Sequence, residues 1–211
     1  MITSTSCIKS DASYTNTMRL PDSKGIVLEI DSHRIVSGEV YLIEEPKPSF
    51  FFDVYGETLV QGIKTLLITR EFPGAVKSSY NTEGSNVVWL THVVGRDCVE
   101  PTQTGLILKK IVSFTKDNSP CIVMLDGVEY LINQNGFDLV MGFLNHVRDL
   151  LIIKDSILLV SLDTHTLEKR ELALLERSMN TISSLPDGKS GAVLTLESGA
   201  IRIMKIPNSK Q

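Results

Sequence analysis

The segment Ser119-Pro-Cys-Ile-Val-Met-Leu-Asp-Gly-Val-Glu-Tyr-Leu-Ile-Asn-Gln-Asn-Gly-Phe137 decides the fold. Five apolar residues, Cys121 to Leu125, run without a break into Asp126. A half-buried strand alternates apolar and polar residues, whereas an unbroken apolar run marks a strand covered on both faces. Its carboxylate end then lies at the edge of a sheet. Covering both faces of such a strand requires helices above and below, and the flanking sequence supplies them.

Upstream, Glu39–Ile43, Lys64–Thr69 and Asn86–Thr91 read as strands, and downstream so does Ser156–Leu162. Helical segments lie between them. Ser49 stands as a cap for a helix over 50–61 that stops at Gly62, with Phe51, Val54, Tyr55, Thr58 and Leu59 on one face. Pro73 opens a short helix to Tyr80, because a missing N–H costs nothing in a first turn. Gly105–Thr115 carries Ile107, Ile111 and Phe114 on one side. Phe137–Leu151 has a wide apolar face of Leu139, Val140, Phe143, Leu144, Val147, Leu150 and Leu151. Thr166–Met179 is a helix with Thr166 as its cap and Glu168, Glu171, Glu176 and Arg177 outward.

Strands alternating with helices predict an α/β fold: a mostly parallel five-stranded sheet with helices on both faces and right-handed crossovers. The ends differ. Gly25–Ile30 reads as a strand, and Ala192–Leu196 and Ala200–Ile206 as a hairpin turning at Glu197–Gly199. These terminal segments are expected to pair and to add antiparallel edge strands. Residues 1–20 are polar, without period, and expected to be flexible. The predicted organisation is therefore a flexible segment over 1–20, an α/β domain over 21–182 and an appended hairpin over 183–211.

Bulk composition narrows the classes. The 211 residues carry 42% hydrophobic and 22% charged side chains and a net charge of −4. That balance suits a globular domain without general attraction to nucleic acid. No run approaches the roughly 18 apolar residues of a membrane span. The first 20 residues lack the apolar centre of a signal peptide, so the expected location is cytoplasmic, with no membrane insertion. Cys7, Cys98 and Cys121 are far apart and form no CxxC pair, which suggests neither a metal knuckle nor a redox dithiol.

Ligands of open α/β sheets bind beyond the carboxyl ends of the strands. The residues there are Glu44 and Glu45, Arg70 and Glu71, Thr91 and His92, Asp126 and Glu129, and Asp163 and His165. From them come the candidate ligand-binding residues Arg70, His92, Asp126, Glu129 and Asp163. The opposing reading is that strand ends are simply where polar residues begin.

Apolar residues followed by Asp126 also match the Mg²⁺-holding motif of P-loop ATPases. That chemistry needs a glycine-rich loop after the first strand, so that backbone N–H groups wrap the phosphates. Here the loop is Glu44-Glu-Pro-Lys-Pro-Ser49. It has no glycine, two prolines without N–H and two carboxylates. Gly188-Lys-Ser190 imitates the end of a phosphate loop, but position 183 is serine and the segment follows a helix. A phosphoacceptor pocket would need a lysine after the last strand, where the chain reads Ser161-Leu-Asp163. No catalytic set, metal or cofactor is expected from these residues.

Trp89-Leu-Thr91, Leu125-Asp-Gly-Val-Glu-Tyr-Leu-Ile132, Asn135-Gly-Phe137, Phe143-Leu144 and Glu171-Leu-Ala-Leu-Leu-Glu-Arg177 in this order resemble the archaeal domain-of-unknown-function family 835. Ile68-Thr-Arg70 fits as well, and the resemblance spans about Tyr41 to Arg177. The family looks like a degenerate relative of RecA/KaiC-type ATPases, often found beside sensor and histidine-kinase modules. The resemblance implies a RecA-like sheet used for signalling or protein contact without ATP turnover. The functional expectation is a non-catalytic regulatory or protein-interaction module, with a protein partner or self-association and no nucleic acid. The alternative is a small-molecule or metal sensor or enzyme using Arg70, His92, Asp126 and Asp163.

Overall fold

The structure is a computed structural model that describes residues 25–30, 33–80, 86–183, 191–197 and 200–206. The chain enters through β1 (Val27–Ile30) and β2 (His33–Val36). It then builds the main layer from β3 (Val40–Glu44), β4 (Thr65–Thr69), β5 (Asn86–Leu90), β6 (Cys98–Val99), β7 (Ile122–Leu125), β8 (Ile157–Leu162) and β9 (Asn180–Ser183). The helices between them are α1 (Ser49–Val60), α2 (Pro73–Ser79), α3 (Thr104–Asn118), α4 (Val128–Asn135), α5 (Phe137–Ile153) and α6 (Lys169–Ser178). The chain closes with β10 (Gly191–Glu197) and β11 (Ala200–Ile206).

β7 is the central strand of a seven-stranded sheet ordered β6-β5-β4-β7-β8-β3-β9, and every pairing in that sheet is parallel. Its four residues are buried, and successive side chains enter opposite cores. Val123 and Leu125 join Leu66, Leu158, Val140, Leu144 and Ile107 on the face covered by α3, α4 and α5. Ile122 and Met124 join Leu67, Leu159, Tyr41, Phe51 and Tyr55 on the face covered by α1. The register places Leu67, Met124 and Leu159 side by side across three strands. The α/β class and the parallel sheet with helices on both faces are present in this architecture.

The sheet has seven strands where the sequence shows five. Cys98–Val99 has only two residues, and Asn180–Ser183 buries only Ile182, so neither edge strand leaves an apolar run to read. Val128–Asn135, a segment without an assigned element in the sequence reading, is the separate helix α4, bounded by Gly127 and Gly136 at φ of +92° and +84°. The last helix starts later than expected. Thr164–Thr166 is a single 3-10 turn, and Glu168, not Thr166, caps α6 through a reciprocal capping box with Glu171. On α5, Leu139 is 50% exposed rather than part of the buried face.

The terminal segments pair with one another in a second, four-stranded sheet, β10-β11-β1-β2. β10 and β11 form the expected antiparallel hairpin, β1 and β2 are antiparallel, and β1 runs parallel to β11 with Leu28 opposite Ile201. Both edges of the main sheet are already taken by β6 and β9. Buried Ile26 and Ile35 tie this layer to the core under α1, and Tyr41 Oη accepts a hydrogen bond from Val36 N at 2.8 Å. The segment 1–20, the Gly188–Ser190 imitation of a phosphate loop and the hairpin turn at 198–199 lie outside the described residues.

Burial separates two leucines of one helix. Leu144→Ala, at a position 1% exposed, should lower unfolding free energy by about 2–5 kcal/mol, and Leu139→Ala by only about 0.5 kcal/mol. Urea denaturation of the two variants against wild type measures both.

Candidate functional site

The carboxyl ends of β3, β4, β7 and β8 converge on one edge, and the loop after β3 is its most constrained part. Glu45 follows that strand, donates its backbone N–H to Leu162 O at 3.0 Å and is only 5% exposed. Its carboxylate turns back onto the start of α1. Oε2 accepts from Phe50 N at 2.9 Å and Oε1 from Phe51 N at 3.0 Å. The Ser161 hydroxyl donates to Oε1 at 3.4 Å.

A helix begins with four N–H groups that have no partner within it. In α1 the first of these positions is Pro48, which has no N–H, and the other three are Ser49, Phe50 and Phe51. Ser49 N donates to Lys47 O at 2.7 Å, and Phe52 N makes the first helical bond, to Pro48 O at 3.1 Å. Glu45 takes the two between. Pro48, not Ser49, occupies the cap position, so the capping group reaches in from the preceding strand end. The positive end of the helix dipole holds a carboxylate of the protein itself.

Asp126 is placed by β7. Its N–H donates to Ile68 O at 2.9 Å, and its Oδ2 accepts from the Thr69 hydroxyl at 2.6 Å and from Arg70 N at 3.4 Å. Thr69 Oγ1 in turn accepts from Glu71 N at 2.9 Å. Gly127 follows at φ +92°, and a Cβ there would stand 2.6 Å from Arg70 Cγ, so this turn requires glycine. Arg70 points away along the edge. Its Nη1 donates to Leu90 O at 2.6 Å, and its guanidinium carbon lies 3.8 Å from the centre of the Tyr130 ring. Trp89 Nε1 donates to Arg70 O at 3.0 Å.

The other candidates form two further groups. His92 Nδ1 lies 2.5 Å from Glu100 Oε1, and its Nε2 lies 2.9 Å from Tyr130 Oη. Glu129 Oε1 accepts from Asp163 N at 2.6 Å, and Asp163 Oδ1 bonds His165 through its N–H at 3.0 Å and its ring at 2.9 Å. The structure therefore joins Arg70 to His92 through Tyr130, joins Glu129 to Asp163, and sets Asp126 against Thr69 and the Arg70 backbone. It does not gather all five around one point. Tyr130, Glu100 and Thr69 were missed in the sequence. Glu100 lies eight residues from its partner and Tyr130 thirty-eight residues from His92, so no local spacing marks either.

Electrostatics follow from burial. Glu45, Asp126 and Glu129 are all pushed above the ordinary carboxylate range, in each case chiefly by desolvation. Hydrogen bonds from Phe51, Phe50 and Ser161 oppose the rise at Glu45, and the neighbouring Asp126 charge adds to it. At Asp126 the opposing groups are Thr69, the Arg70 and Gly127 backbones and the guanidinium. Asp163 is held below its usual range by His165. Among the described residues no three His, Cys, Asp or Glu side chains are grouped to hold a metal ion. A hollow of 360 Å³ lined by Leu66, Lys77, Asp97, Lys110 and Phe114, among others, shares no lining residue with this edge. No helix among the described residues is long and apolar enough to cross a membrane.

Fold and site together define an α/β domain with a parallel seven-stranded sheet in which a carboxylate from the end of β3 occupies the first turn of α1. Residues 46–179 match the family described as "Protein of unknown function (DUF835)", and the chain belongs to that family. No curated protein matches the sequence. Among solved structures, the chain is similar to the flagellar accessory protein FlaH from Methanocaldococcus jannaschii, at 15% identity over 83% of each chain with a TM-score of 0.48.

The raised carboxyls fix the sign of one pH effect. Between the ordinary and the raised values the folded chain holds protons that the unfolded chain has released, so stability falls as pH rises through that window. The melting temperature should therefore drop as pH rises above the ordinary carboxylate range. The drop should be shallower in Glu45→Gln, which has no proton to lose at that position; scanning calorimetry across the range checks it.

Proposed function

We propose that this protein is a non-catalytic regulatory or protein-interaction module on a RecA-like scaffold, acting in the cytoplasm in archaeal signalling without ATP hydrolysis. The observation that carries this reading is the Glu45 carboxylate on Phe50 N and Phe51 N. A triphosphate needs those donors, and its negative charge would meet Glu45 with Asp126 nearby. Pro46 and Pro48 offer no N–H in their place.

The interaction role is supported by what the fold leaves at its borders. β9 closes one edge of the main sheet with three exposed residues out of four, and such an edge accepts strand addition from a partner or a second copy. A net charge of −4 argues against nucleic acid as that partner. The alternative, a small-molecule or metal sensor using Arg70, His92, Asp126 and Asp163, has less support. Each of these residues already bonds another group of the protein, and Asp163 bonds Glu129 and His165 rather than the group of Arg70, His92 and Asp126.

Thermal melting with ATP, ADP or GTP and Mg²⁺ tests the reading. Ligand at a hundred times its Kd would add about 2.7 kcal/mol and raise the melting temperature by several degrees. The expected result is no shift with any nucleotide. A shift that disappears in Asp126→Asn, with that variant still folded, would contradict the proposal.

A further inference from the structure

The chain Glu100–His92–Tyr130 plays no part in the reading above. Its order is carboxylate, imidazole, hydroxyl. Glu100 Oε1 stands 2.5 Å from His92 Nδ1, and His92 Nε2 stands 2.9 Å from Tyr130 Oη. An ionised carboxylate only accepts hydrogen bonds, so Nδ1 carries the ring proton. The neutral imidazole then has its lone pair on Nε2, where it accepts the phenol O–H. A hydroxyl within reach of a base, with the base oriented by a third group, is the relation that activates a nucleophile.

Arg70 adds a second, separate observation. Its guanidinium carbon lies 3.8 Å from the centre of the Tyr130 ring. A cation over an aromatic face is drawn to the electron density of the ring, and that density grows when the phenol loses its proton. The guanidinium therefore stands where it offsets negative charge that develops on Tyr130 during attack. The bond from Nη1 to Leu90 O holds it there, and the missing side chain of Gly127 makes room for its stem. The group is also reachable: the His92 side chain is 58% exposed, and Tyr130 is half-buried.

We infer that Tyr130 is an acceptor site for an acyl group delivered by a small, uncharged activated ester. Tyr130 Oη attacks the carbonyl carbon and forms the new C–O bond. The phenol proton passes to His92 Nε2, whose charge Glu100 balances. The bond to the leaving oxygen then breaks, and that oxygen departs with the electron pair. The carboxylates choose between donor classes. Glu100 is part of the chain, and Asp126 interacts with the same guanidinium, so a polyanionic phosphoryl donor is repelled where a neutral ester is not. Val93 and Val94, the exposed residues that follow His92, give an acyl chain apolar surface. The modification is stoichiometric and requires no turnover, so it stands independently of the interaction role.

The test uses the full chain and p-nitrophenyl acetate, with acetylation of the Tyr130 peptide followed by mass spectrometry over time. In wild type, Tyr130 should be acetylated about a hundredfold faster than in His92→Gln. Glu100→Gln should fall between, and Tyr130→Phe should show no label at that position. The wild-type pH–rate profile should carry a sigmoidal step that is missing in His92→Gln, where the rate rises with hydroxide throughout. Melting curves of each variant establish that it is folded. Equal rates in wild type and His92→Gln would overturn the assignment, as would pH profiles of the same shape in both.

Discussion

The first turn of α1 aims its unpaired amides at the edge of the sheet, and the protein answers them with its own carboxylate. The contact between Glu45 and the N–H groups of Phe50 and Phe51 joins β3 to α1 without a glycine-rich loop. It fixes how α1 leaves the sheet, and Phe51, Val54 and Tyr55 of that helix fill the core beneath it. A group buried this deeply is costly unless every oxygen has partners, and Glu45 has two amides and a hydroxyl. A ligand at the first turn of α1 would need these same amides. Here the ligand position is built into the chain.

The opposite half of the edge is organised around Arg70. Its stem lies over Gly127, its head over Tyr130, and its carbonyl under the Trp89 indole. Tyr130 reaches His92, and His92 reaches Glu100 beyond β6. One arginine thus links β4, β5, α4 and the segment after β6. The turn at Asp126-Gly127 serves both halves: its carboxylate holds Thr69 and the Arg70 backbone, and its glycine lets the arginine pass.

Most of the architecture could be read in advance, because a strand buried on both faces writes an unbroken apolar run. Cys121–Leu125, Leu66–Ile68 and Ile157–Val160 are such runs. Edge strands leave no such trace: Cys98–Val99 is too short, and Asn180–Ser183 is exposed on three residues of four. The site was legible as composition but not as geometry. The acids after β3 were visible as groups hostile to phosphate. That one of them would satisfy the helix in place of phosphate depends on a backbone turn through Pro46-Lys-Pro48, which residue spacing does not specify. Tyr130 was hidden for a similar reason: its partners lie 38 and 60 residues away in sequence.

The central claim is that the two amides belong to Glu45, and solution NMR tests it directly. Followed across a pH titration, the Phe50 and Phe51 amide resonances should move together as one carboxyl titrates. The shared midpoint should lie above the ordinary glutamate range. Both should lose that response in Glu45→Gln, and neither should move when inorganic phosphate is added to wild type. Amides that ignore the titration, or that shift with phosphate, would mean the start of α1 is open and the account is wrong.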